Sequence, residues 1–269
     1  MMIPNRIIQT ARSADLPLLG QASVANLRLL NPAFEYCFFD DFAVAQFISS
    51  EFPKYRRVFD SFPHNIQRFD FFRYLALYRF GGFYFDTDVL LVKPLEPLLR
   101  HSCVFPFEEL SISGFLREEL RFDWEIGNYA FGCEAGHPFL RAIIEDCIRA
   151  LEQPAWGVAV LRGIPRLFRD QFHVLYSTGP GLITRTLAGN PDLQPSVSVL
   201  FPSDVCDITT HHRFGGYGIH LMQASWRGST GFVRSRIGRL WERRRRRCLA
   251  EQSQALGPTR PGLWTSVLA

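Results

Sequence analysis

Lysine is nearly absent from this 269-residue chain: Lys54 and Lys93 are the only two, and arginine carries almost all of the positive charge. Cysteine is sparse and scattered, at Cys37, Cys103, Cys133, Cys147, Cys206 and Cys248, with no C-x-x-C pair. That spacing predicts separate thiols of a reducing compartment and argues against a zinc knuckle or a disulfide-framed domain. No apolar run approaches the roughly 20 residues needed to span a bilayer. The opening Met1–Arg6 lacks a secretory signal pattern. No internal repeat is visible, which argues against a solenoid. These absences together lead to the expectation of a cytoplasmic protein built around one large domain.

Apolar residues make up 47% of the chain, and phenylalanine is conspicuous at 25 copies, ample for a sizeable core. The formal net charge of +4 is unevenly placed. Residues 234–247 hold eight arginines and a single acid, Glu242, so the rest of the chain is mildly acidic. The basic character belongs to the end of the chain. We therefore expect a domain over residues 1–228 and a basic helix and tail over 229–269.

Apolar periodicity and breakers predict a strand at Arg6–Gln9, a helix over 22–30 stopped by Asn31-Pro32, and a strand at Glu35–Phe39. Asp40 and Asp41 can cap a following helix. A longer helix is expected over 65–80, stopped by Gly81, then a strand over 83–88 with Val89–Val92 running on. Residues 108–128 read as loops with one or two short strands. His137-Pro138 opens a helix to about Leu151, and 154–181 is punctuated by proline and glycine. A short helix over 182–188, a strand over 197–201 and a loop over 207–228 complete the pattern. Strands alternating with helices argue for an α/β domain with a largely parallel sheet.

The run Gly81-Gly82-Phe83-Tyr84-Phe85-Asp86-Thr87-Asp88-Val89 is the most informative segment. Alternate side chains of an extended segment point the same way, so Asp86 and Asp88 can aim at one point where the strand leaves the core. Two close carboxylates call for a positive partner, and a hard divalent cation bridging to substrate phosphates is the natural one. A lone D-x-D is common in solvated turns; here an aromatic strand that stops abruptly at two acids places them at a sheet rim, where open α/β folds bind ligands. The 65–80 helix is apolar on nearly every face; Asp70 and Arg73 stand out on it, three residues apart and therefore on one face. They can satisfy each other as a local ion pair, or bind sugar or ribose hydroxyls. The 207–228 stretch carries His211, His212, His220, Ser225 and Trp226. The first two histidines read as incidental to a surface loop.

Taken together these residues resemble the glycosyltransferases with a DXD sugar-binding region, the family 32 type, which includes yeast initiating mannosyltransferases and bacterial capsule and lipopolysaccharide transferases. The family is distantly similar to the glucosylating domain of large clostridial toxins. The strongest match is Asp70-x-x-Arg73 through Leu77-Tyr78, Gly81-Gly82, Tyr84 and Asp86-Thr87-Asp88-Val89. Weaker pieces follow in order: Ile3-Pro4 with Ile7, Gln9 and Thr10, then Asn31-Pro32, Tyr36, Asp40-Asp41, Asn128, His137-Pro138, Thr178-Gly179-Pro180, and His220 with Ser225-Trp226. Ile8 and Ala11 depart from the histidine and tryptophan usual near the start. The resemblance implies a GT-A fold, a Rossmann-like, mostly parallel sheet flanked by helices. It implies a nucleotide-sugar donor, Mn²⁺ or Mg²⁺, retention of configuration, and a glycan or lipid-linked glycan acceptor in cell-surface polysaccharide synthesis. On that basis Asp86, Asp88 and Asn128 are candidate catalytic residues. Asp86, Asp88 and His220 are candidate metal ligands. Gln9, Asp70, Arg73, Tyr84, Ser225 and Trp226 are candidate donor contacts.

Two rivals share the same residues. Asp86-Thr87-Asp88-Val89 also fits the nucleophile motif of haloacid-dehalogenase-like phosphotransferases, with Asp86 as nucleophile and Asp88 as general acid. That motif needs a downstream acidic pair, and Asp40-Asp41 lies upstream. The second rival is a non-catalytic nucleotide-sugar-binding protein. For the arginine-rich segment, an anionic membrane surface is favoured over nucleic acid: Phe232, Val233, Ile237, Leu240 and Trp241 interleave with the arginines over 232–249, and no nucleic-acid motif is present. A solvated terminal helix explains the pattern equally well. The expected location is cytoplasmic, peripheral on the inner face of the membrane.

Overall fold

The computed structural model describes residues 2–164, 166, 169–202 and 204–222, with helical positions 243, 246, 247, 250 and 251. The expected boundary at 228 and nearly all of the 232–249 segment lie outside the described residues. In chain order the elements are β1 (Arg6–Thr10), α1 (Leu18–Leu30), β2 (Glu35–Phe39), α2 (Asp41–Glu51), α3 (Arg56–Ser61) and α4 (Asn65–Phe80). Then come β3 (Gly82–Phe85), β4 (Val89–Leu91), β5 (Cys103–Leu110), β6 (Trp124–Ile126) and β7 (Ala130–Cys133). The rest are α5 (Pro138–Glu152), α6 (Pro154–Val158), α7 (Arg169–Ser177), α8 (Pro180–Gly189), β8 (Ser198–Leu200), β9 (Arg213–Phe214) and β10 (Gly218–His220).

The main sheet has seven strands among the described residues, in the order β2-β1-β3-β7-β5-β6, with β8 also on β5. β1 pairs in parallel with β2 and β3, and β8 in parallel with β5. β7 runs antiparallel to β3 and β5, and β6 antiparallel to β5. Five strands (β2, β1, β3, β5 and β8) therefore point the same way, so their C-terminal ends share one rim. This is the mostly parallel α/β sheet flanked by helices that the alternating pattern predicted.

Alternation along the strands builds two cores. Phe83 and Phe85 join Ile7, Val104 and Leu27 of α1 on one face. Tyr84 joins Ile8, Phe105, Phe131 and the apolar length of α4 on the other. Phe105 and Phe131 stack with ring centroids 4.8 Å apart. Asp40 caps α2, its carboxylate accepting from the Ala43 N–H at 2.8 Å. Gly81 and Gly82 turn the chain from α4 into β3 with φ of 65° and 102°, a region only glycine enters freely. A Cβ at Gly82 would lie 2.7 Å from the Arg6 carbonyl oxygen.

Several local expectations give way. β3 ends at Phe85, so the acids sit in a turn instead of on an extended strand. Residues 89–91 leave the main sheet and pair with β10, which pairs with β9, giving a second three-stranded sheet where a loop was expected. The 108–128 stretch includes the end of the eight-residue β5, a π-type turn at Phe115–Glu119, and β6. The 154–181 stretch contains α6, which Pro154 opens because proline suits the first turn of a helix, and α7. Cys103 and Cys133 stand opposite each other on β5 and β7 and are joined as a disulfide, where separate thiols were expected. Two strands 30 residues apart in sequence bring them together, a pairing their spacing does not reveal.

Candidate active site

The site is built where α4 and β3 meet. α4 is buried along Asp70–Leu77, so the two charges of that stretch must find partners inside the protein. Asp70 and Arg73 are each 3% exposed. Arg73 Nη2 pairs with Asp70 Oδ1 at 3.2 Å and with Asp86 Oδ1 at 3.2 Å. Its Nη1 donates to the Asn128 carbonyl at 2.7 Å and lies 3.4 Å from Asp86 Oδ2. The guanidinium also covers the Tyr84 ring, 4.5 Å from its centroid. The second oxygen of Asp70 accepts from the Thr178 hydroxyl at 2.7 Å, and the first also accepts from the Asn128 amide at 3.1 Å. That amide donates to Tyr74 Oη at 2.9 Å, whose own hydroxyl donates to the Thr178 carbonyl at 2.6 Å. Four segments distant in sequence thus converge on one buried polar hub.

Burial drives the Asp70 carboxyl up to about 6, opposed by Arg73 and by the hydrogen bonds from Thr178 and Asn128. Burial works against the Arg73 charge, but the carboxylates of Asp86 and Asp70 hold it well above its ordinary value. The guanidinium therefore remains a fixed cation behind the rim.

Asp86 follows β3 directly, with 28% of its side chain exposed. Its N–H donates to the Tyr129 carbonyl at 2.7 Å, and its Oδ1 accepts from the Tyr84 hydroxyl at 2.8 Å. Desolvation raises its carboxyl, Arg73 opposes the rise, and nearby Asp88 adds to it. Asp88 lies 3.4 Å from His220 Nε2, at the end of β10. The His220 ring stacks on Tyr129 with centroids 4.2 Å apart. One ligand atom from each of Asp86, Asp88 and His220 falls within 4.8 Å of the others. Two carboxylates and an imidazole so gathered fit a divalent cation such as Mn²⁺ or Mg²⁺.

The sequence-expected residues divide into four groups. Asp86, Asp88 and His220 meet at the rim. Asp70, Arg73 and Asn128 lie directly behind it. The ion pair between Asp70 and Arg73 does form, and it extends to Asp86 instead of closing on itself. Gln9 and Tyr84 have no exposed surface and bond inward. Gln9 donates to Ser23 Oγ at 3.2 Å and the Asp86 carbonyl at 3.3 Å, and accepts from the Tyr36 hydroxyl at 2.8 Å. Both residues position the acid turn from within. Ser225 and Trp226 lie outside the described residues.

Three structural contributions escaped sequence reading. Tyr74 could have been found, because it lies one helical turn beyond Asp70 on the same face. Tyr129, 2% exposed, supports His220 but carries no signal beyond following Asn128. His212, set aside as incidental, bonds Glu108 at 3.0 Å, and its carbonyl accepts from the His220 N–H at 3.2 Å.

A mostly parallel sheet with a buried guanidinium bracing a carboxylate pair at its C-terminal rim defines an α/β protein with a candidate ligand site at that rim. Residues 20–105, which include that pair, match the model of the family described as "Glycosyltransferase sugar-binding region containing DXD motif". The chain is 32% identical over 183 residues to "Inositol phosphoceramide mannosyltransferase 3" of Schizosaccharomyces pombe, covering 66% of this chain and 43% of that protein. It is 30% identical over 138 residues to "Mannosyl phosphorylinositol ceramide synthase SUR1" of Saccharomyces cerevisiae, covering 51% and 33%. It thus spans less than half the length of these curated relatives. Among solved structures, the UDP-bound glycosyltransferase domain from the YGT toxin aligns with a TM-score of 0.47 at 9% identity, over 74% of this chain and 79% of that one.

Proposed function

We propose that the chain is a nucleotide-sugar-dependent hexosyltransferase that uses a divalent metal and retains anomeric configuration. The observation that carries this reading is the convergence of Asp86, Asp88 and His220 within 4.8 Å at the sheet rim. Arg73 anchors Asp86 there, and residues 20–105 carry the DXD family region. In this reading Asp86, Asp88 and His220 hold Mn²⁺ or Mg²⁺, which when bound supplies Lewis-acid neutralisation of the leaving diphosphate. Arg73 and Tyr84 fix the Asp86 carboxylate, so little side-chain freedom is lost when donor binds. Asn128, 8% exposed, brings its edge of the hub towards the sugar. Ser225 and Trp226 contact the diphosphate.

The names of the relatives point to a mannosyl donor and a phosphoinositol-ceramide acceptor, which favours the lipid-linked form of the expected acceptor. We place the enzyme at the inner face of the cytoplasmic membrane in surface glycan synthesis, with the 232–249 arginines meeting anionic lipid. No helix among the described residues is long and apolar enough to cross a membrane. A phosphotransferase would need Asp86 free to attack phosphorus. Its carboxylate is instead taken up by Tyr84 and Arg73, and we set that reading aside.

The test is incubation of the full chain with Mn²⁺ and a panel of GDP- and UDP-sugars, scoring slow release of free sugar and nucleoside diphosphate. Turnover of one donor, abolished by chelator and restored by Mn²⁺, is expected. Full activity in excess chelator would remove the metal role. Absence of turnover with every donor would favour a binding protein.

A further inference from the structure

Exposed apolar side chains scattered singly are ordinary on a protein surface. Leu18, Leu29 and Phe42 are of that kind. A second group is gathered on one small unit: Val92 is 58% exposed, Ile219 39%, Leu221 42% and Met222 52%. All four lie on or directly beyond the β4–β10 ribbon. Ile219 is paired with Leu90 on one side and Arg213 on the other, and directly opposed residues share a sheet face. Val89 and Leu91 are directed into the core, and His220 onto Tyr129. The outer face is left with apolar side chains and exposed Arg213 at one edge; Lys93, next after Val92, is exposed with its ammonium 5.9 Å from the centroid of the Tyr217 ring. This face adjoins the candidate site, since the Leu221 N–H donates to the Asp88 carbonyl at 3.0 Å.

We propose that the outer face of the β4–β10–β9 sheet is a bilayer-contact surface, with Ile219, Leu221, Met222 and Val92 entering the lipid interface and Arg213 and Lys93 meeting anionic head groups. The inference rests on the lipid-linked acceptor reading above. Apolar side chains flanked by cations match an anionic leaflet. With the acid turn immediately beside it, a face resting on lipid would present the metal cluster to an acceptor head group still anchored in the bilayer.

The experiment is co-sedimentation of the full chain with phosphatidylcholine vesicles containing phosphatidylserine. The double variant Ile219→Ser/Leu221→Ser should lose at least about tenfold in partitioning, since each side chain removed from an apolar environment is worth that order. Thermal melting checks that the variant is folded. An independent gain-of-signal variant, Ile219→Trp, should show blue-shifted emission and extra quenching by brominated lipid relative to the parent. Unchanged partitioning of the folded double variant, or no added quenching of Ile219→Trp, overturns the proposal. So does a concentration-dependent dimer that the serines abolish, which would make the face a self-contact. Donor hydrolysis on the same samples separates the two readings: turnover without face-dependent lipid binding removes only the surface, and absence of turnover leaves the surface to be judged by the vesicles.

Discussion

At the scale of single residues, the site depends on one guanidinium held by several partners at once. Arg73 meets Asp70, Asp86 and the Asn128 carbonyl. Lysine keeps the charge but not the planar fork. Arg73→Lys should therefore lower Mn²⁺-dependent donor hydrolysis by about tenfold or more, the usual cost of loosening the support behind a metal ligand. Hydrolysis at the parental rate would show that Asp86 needs no brace. Asp88→Ala removes a carboxylate of the cluster itself, and we expect a loss of at least about two orders of magnitude in turnover. The check is the hydrolysis rate at saturating Mn²⁺, and near-parental turnover would overturn the assignment. The identity of these residues was legible in the sequence, because charges on an otherwise apolar helix stand out. Their connectivity was not. Asp70 finds Thr178 and Asn128 at separations of 108 and 58 positions, and no local periodicity encodes such a meeting.

At the scale of elements, α4 and β3 were read closely, since a long apolar helix, two glycines and an aromatic strand each leave a strong local signal. The helix spans Asn65–Phe80 as its pattern indicates. The β9 and β10 strands were missed, because strands of two and three residues amid glycine and histidine leave too short an alternation to detect. The glycine pair makes a measurable prediction. At Gly82, φ is 102° and an added Cβ would meet the Arg6 carbonyl oxygen at 2.7 Å. At Gly136, φ is 73° with nothing within 4 Å of the same added atom. Gly82→Ala should cost about 2 kcal/mol or more and lower the melting temperature by roughly 4–8 °C. Gly136→Ala carries only the backbone strain and should lower it less. Equal shifts in calorimetry would show that the contact with β1 is easily relieved. Because Gly82 opens the strand that ends at Asp86, its variant should also weaken Mn²⁺ dependence.

At the scale of the whole molecule, buried acids make stability depend on pH. Glu125 on β6 is 4% exposed and accepts from the Ser111 hydroxyl at 2.6 Å. Burial drives its carboxyl up to about 7, against the hydrogen bonds from Ser111 and Tyr176. A folded-state value above the unfolded one means that the native protein holds an extra proton between them. Stability is then greatest at low pH within that window and falls as pH rises from about 4.5 to about 7. Glu125→Gln should flatten this slope, gaining on the order of 2 kcal/mol relative to the parent at pH 8 compared with pH 5. Parallel melting curves at the two pH values would show that Glu125 does not titrate in this range. The hub around Asp70 has a further consequence, in the order of events during synthesis. Asp70 leaves the ribosome 108 residues ahead of Thr178. At a translation rate of about 5–20 residues per second, the nascent chain would carry this charged, aromatic-rich helix for roughly 5–20 seconds before its distant partner exists. The interval is a window for chaperone capture, and it would close only when the second half of the sheet has been made.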